Sequence, residues 1–126
     1  MKPLRLMRCT AGGSAVEFGL IAPAYFAALI GAIELGLMLW TQVGLQHATE
    51  MAARCASVNS ATCSSTSAIQ TYATHQAFGL SVPASTFTVA SLACGNQVSA
   101  SYDFLYISAY MGAPKLTLNA RSCFPK

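Results

Sequence analysis

Charge is what this sequence has least of. Asp, Glu, Lys and Arg make up 9% of its 126 residues, and the mean hydropathy is +0.48, too apolar for an ordinary soluble domain. Of the four carboxylates, only Glu50 and Asp103 lie outside one long apolar run. Two are too few for an acid/base pair or an oxygen cage around a hard metal. The seven basic residues form no patch interleaved with aromatics. Three of them, Lys2, Arg5 and Arg8, crowd the first eight positions and the rest are scattered, which argues against nucleic-acid binding. There is no Gly-rich phosphate loop, no H-E-x-x-H and no G-x-S-x-G. His47 and His75 fall on different predicted helices, and a catalytic Cys-His pair is disfavoured because cysteines in an oxidising compartment usually pair with each other. The expectation is a protein that is not an enzyme and needs no cofactor or metal.

The chain also lacks any C-x-x-C pair. Cys9 precedes the apolar run, and Cys55, Cys63, Cys94 and Cys123 follow it. Zinc is the rival use of four such cysteines, but their wide spacing favours two disulfides. A short exported region with a small core gains most from such staples.

What is present is the run itself. From Val16 to Trp40 there is no Lys, Arg or Asp. As a helix rising about 1.5 Å per residue, it covers the roughly 30 Å hydrocarbon core of a bilayer. Trp40 stands where an interfacial aromatic is expected, and the basic cluster precedes the run. By the positive-inside rule the N-terminus is then cytoplasmic and the C-terminal region exported. Three fates compete for such a segment. A removed signal peptide could use Ala22-Pro23-Ala24, but leaves a second apolar run behind. An uncleaved signal anchor gives Glu17 no purpose. The third fate is a cut ahead of the run.

That third fate has a recognisable pattern. A short basic leader ends at Gly12 and is followed by Gly13-Ser14-Ala15-Val16-Glu17-Phe18, then by Pro23 and by "GAIELG" around Glu34. Together with "SAVEFGLIAP", these residues resemble the TadE-like pseudopilins (minor pilins) of tight-adherence, or Flp, pilus systems. The resemblance implies a type IV pilin-like precursor cut by a prepilin peptidase between Gly12 and Gly13. It implies residues 1–12 as cytoplasmic leader, 13–40 as a single transmembrane helix in the bacterial inner membrane, and 41–126 as an exported, periplasmic domain. Its partners would be the peptidase, other pilins or pseudopilins, the inner-membrane assembly platform and membrane lipid. The different-class alternative is a signal-anchored, disulfide-stapled binding module unrelated to pili.

Within that frame the carboxylates acquire roles. A cut after Gly12 frees the α-amine of Gly13, cationic below a reference pKa of about 7.7–8.0. Glu17, followed by Phe18, lies one helical turn on and can neutralise that amine in its own chain or a neighbour's. The alternative is a carboxylate solvated among headgroups. Glu34 lies roughly 9 Å inside the exported interface by helix rise. It either meets a partner helix or snorkels to water. Ala28, Ala32 and Gly36 recur every fourth position and would let another helix approach closely.

Beyond Trp40 the helix is expected to continue as a stalk, with Val43, Ala48, Met51, Ala52 and Cys55 on one stripe and Gln46, Glu50 and Arg54 on another. "NSATCSSTS" breaks it, with Ser64 or Ser65 as the next N-cap. A second helix follows through Ala68, Ile69, Tyr72 and Ala73, closed by Gly79 and Pro83. The period then switches to two around Phe87 and Val89, again from Val98 to Tyr106, and again from Leu116 to Ala120. Turns are expected at Cys94–Asn96 and at the end of the second connection, Met111–Pro114. The fold class is α+β, with the second helix and stalk over one face of a three-stranded antiparallel meander. Such a meander brings Cys94 toward Cys123, while Cys55 and Cys63 flank the interhelical loop. The expected disulfides are therefore 55–63 and 94–123.

Overall fold

The computed structural model describes residues 13–107, 112 and 115–126. The leader with Cys9 and Gly12, and Met111, Ala113 and Pro114 of the second connection, lie outside the described residues. The element order is α1 (Gly13–Val58), α2 (Thr66–His75), a 3₁₀ turn at Ala84–Thr86, β1 (Phe87–Leu92), β2 (Gly95–Phe104) and β3 (Leu116–Phe124). The fold is α+β. Two compact units divide it, the first ending at Leu35 and the second running from Gly36 to Lys126.

The first unit is described as helix from Gly13 onward. Ala22, Gly31 and Glu34 are half-buried and every other residue of 13–35 is exposed. Pro23 sits inside the helix and cannot donate to the carbonyl of Gly19, a loss that membrane helices tolerate.

The second unit is a meander in the order β1-β2-β3, antiparallel throughout. Phe87, Ala100 and Ala120 share one rung, and Tyr102 pairs with Leu118 on the same face. The alternation read from the sequence therefore points one row of apolar side chains inward. That row joins Leu45, Ala48, Ala52 and Ala53 of α1, and Ile69 and Ala73 of α2, in a single core. Seven of the core positions are alanine, so helices and sheet pack closely but each buried side chain adds little apolar area. Covalent staples matter more in so thin a core, and both expected ones are present, Cys55–Cys63 and Cys94–Cys123.

Local chemistry explains most boundaries. Asn59 closes the turn after α1, its Oδ1 accepting from the amide of Thr62 at 3.1 Å. Ser65 is the N-cap of α2, its Oγ accepting from Ala68 N. α1 is tied to the sheet by amide side chains at two levels. Gln42 Nε2 donates to Asn119 O at 2.9 Å, and Asn96 Nδ2 donates to Ala56 O at 3.1 Å. Gln70 Nε2 donates to Phe87 O, fastening α2 to the first strand. Among the described residues no buried side-chain polar atom lacks a partner.

Several sequence expectations are corrected. Val43 is exposed, because the stalk buries Thr41, Gly44, Leu45, Ala48 and Thr49, a stripe of three- and four-residue steps that passes it by. α2 stops at His75 rather than at Gly79, since Ala77 must turn in and bury itself against the stalk. The β1–β2 turn is Ala93–Cys94, with Gly95 and Asn96 already paired in β2. Gly95 has φ +124°, and a Cβ there would overlap the carbonyl oxygen of Phe124, so glycine is required where the two strand ends meet. β2 ends at Phe104, leaving Tyr106 beyond it.

Candidate functional site

Apart from Gly12, which lies outside the described residues, the residues singled out for anchoring and assembly lie on α1. Gly13 is the first described residue of that helix, and Glu17 follows one turn later. Phe18 is 69% exposed, and its apolar neighbours Val16, Leu20 and Ile21 are exposed with it. Soluble monomers rarely expose so continuous an apolar surface, which marks a protein or membrane contact. The helix is long and apolar enough to cross a membrane once. Ala28 and Ala32, one turn apart, are exposed, and nothing lies within 4 Å of where a Cβ on Gly36 would sit. Glu34 is half-buried. On the polar stripe of the stalk Glu50 and Arg54 are exposed, and Gln46 Nε2 donates to Glu50 Oε1 at 2.9 Å.

In the second unit the structure brings together residues that sequence reasoning did not connect. Trp40 and His47, seven positions apart on α1, both meet Phe78. The Trp40 and Phe78 rings are 6.1 Å apart, and His47 stacks on Phe78 at 4.5 Å with 16° between planes. Gly44 lies between them on the helix and admits the turn that carries Phe78: a Cβ there would lie 2.7 Å from Leu80 Cδ1 and 3.2 Å from Ala77 O. An isolated glycine inside a helix costs about 1 kcal/mol relative to alanine, which is the one sequence signal that a close approach occurs here. His75 is exposed and takes no part.

An open cleft of about 520 Å³ lies along the sheet, lined by Gln46, Thr86, Thr88, Ser99, Ser101 and Arg121 among others. Its lining includes no Asp, Glu, His or Cys, so hydroxyls, amides and one guanidinium are what it offers a ligand. Among the described residues no three His, Cys, Asp or Glu side chains gather as a metal site would require.

No curated protein and no solved structure matches the chain. A family model does, that of TadE-like protein, over residues 12–54. The match takes in most of α1, with Gly13, Glu17, Pro23 and Glu34, and ends before the sheet. Over that stretch the chain is similar to TadE-like protein, and residues 55–126 lie outside the match.

Proposed function

We propose that this protein is a minor pilin, or pseudopilin, that acts in assembling a tight-adherence pilus. It is made with a cytoplasmic leader, is cut by a prepilin peptidase between Gly12 and Gly13, and stays in the inner membrane through α1 with its sheet-bearing unit outside. Its role is structural rather than catalytic. The observation that carries this reading is the family match over residues 12–54, a stretch that holds the Gly12-Gly13 pair and, one helical turn on, Glu17. The two disulfides support the exported side, since such bonds persist in oxidising compartments. Partners follow from the reading: the peptidase, sister pilins and the membrane platform.

The polar cleft beside Arg121 favours a second reading, a signal-anchored module that binds an extracellular ligand. Intact mass and N-terminal peptide mapping of protein taken from native membranes, without reductant, separate the two. Loss of residues 1–12 with four oxidised cysteines is the pilin result. Full-length protein in cells with an active prepilin peptidase leaves the binding module.

A further inference from the structure

The turn from Ala77 to Leu80 has features that neither folding nor pilin processing requires. Phe78 has φ +49°, a left-handed conformation that a bulky side chain adopts only at a cost, and Gly79 follows at φ +77°. The strained turn holds the Phe78 side chain 49% exposed instead of burying it. Beside it stands Trp40 at 57% exposure, and Leu39 and Val43 of the same helix are exposed as well. The turn is seated firmly. Ala77 is fully buried, Leu80 N donates to Ala77 O at 3.0 Å, and the missing Cβ of Gly44 makes the room.

The apolar run of α1 ends at Trp40, and residues 36–40 belong to the same compact unit as Phe78. Whatever depth Trp40 occupies in a membrane, Phe78 shares to within about a ring's width. From Gln76 to Tyr102 the chain carries no charged residue, so no charge has to be desolvated to bring this turn to a lipid surface.

We propose that the Ala77–Leu80 turn is a second membrane contact, in which Phe78 enters the boundary between headgroups and acyl chains beside Trp40. Aromatic side chains favour that depth, and paired ones fix a protein against the interface. His47 braces the Phe78 ring from the helix side, so the side chain is presented preformed. The sheet-bearing unit is thereby held at the lipid surface. The inference rests on α1 crossing the bilayer.

Trp40 is the chain's single tryptophan, which allows the two ideas to be tested separately. The full chain is reconstituted in phosphatidylethanolamine–phosphatidylglycerol vesicles containing lipids brominated either near the headgroup end of the acyl chain or near its middle. Trp40 emission is measured in the native chain, and position 78 is read in the double variant Trp40→Phe, Phe78→Trp. The expected result is quenching at both positions, stronger with the shallow bromines. Quenched Trp40 with an unquenched Phe78→Trp probe overturns the second contact and leaves the anchor standing. No quenching at either position overturns both. In the unaltered chain, a photoactivated carbene carried on the acyl chain should label the peptide containing Phe78. Label confined to residues 16–40, or protection of Phe78 that grows with protein density rather than with lipid, assigns the ring to a second copy and overturns the proposal.

Discussion

Gly44 and Leu80 meet so closely that a Cβ on the glycine would sit 2.7 Å from Leu80 Cδ1. Two effects oppose each other in Gly44→Ala. Alanine gains about 1 kcal/mol of helix propensity, whereas overpacking costs about 1–3 kcal/mol. The near atom is the end of a movable side chain, but Ala77 O at 3.2 Å is backbone and yields less. Gly44→Ala should therefore change unfolding stability by no more than about 2 kcal/mol, while Gly44→Leu, with no space for its branches, should displace the turn. Trp40 fluorescence reports it, because the Phe78 ring 6.1 Å away would move. Unchanged emission in Gly44→Leu would show that the turn does not depend on this contact.

The two disulfides should differ in both worth and accessibility. Their sequence separations are 8 and 29 residues. Loop-closure entropy then assigns about 2.5 kcal/mol to Cys55–Cys63 and about 3.6 kcal/mol to Cys94–Cys123. Exposure runs the other way. Cys55 and Cys63 are buried in the core, Cys94 is exposed and Cys123 half-buried. Under mild reductant the Cys94–Cys123 bond should open first, and removing it by paired Cys→Ala changes should cost more in denaturant unfolding. Alkylation of Cys55 before Cys94, followed by mass mapping, would contradict the burial argument.

Local pattern carried much of this architecture. The alternation Val98, Ala100, Tyr102 marks a half-buried strand wherever it occurs, and Ser65 ahead of Ala68 is a capping arrangement that needs no tertiary context. Both disulfides followed from the order of elements. The departures arise where a distant contact outweighs local preference. Val43 looks like a core residue by type, yet glycine one position on is what the turn from 77 to 80 requires, and the helix rotates its buried stripe accordingly. Phe78 reads locally as the frayed end of α2, and its link to Trp40 spans too many residues for any periodicity to reveal. On α1 the reverse holds: Glu17 and Pro23 fall on one continuous helix, as the long apolar run around them predicts without any distant contact.

Glu17 gives the sharpest test of the assembly reading. A carboxylate one turn from a freed α-amine, on an exposed apolar helix, is stable in lipid when paired with that charge in its own chain or a neighbour's. Glu17→Gln keeps the shape and removes the charge. Leaving the partner charge unpaired in a low-dielectric setting costs about 3 kcal/mol or more, roughly a hundredfold in an association constant. The variant should therefore still lose residues 1–12, as intact mass would show, yet co-purify with sister pilins at a small fraction of the native level. Glu17→Asp retains the charge on a shorter arm and should recover part of the loss. If Glu17→Gln co-purifies as well as the native chain, the carboxylate is merely solvated among headgroups and has no part in docking. If the leader remains in place, the residue acts earlier, in recognition by the peptidase, and the pairing argument falls with it.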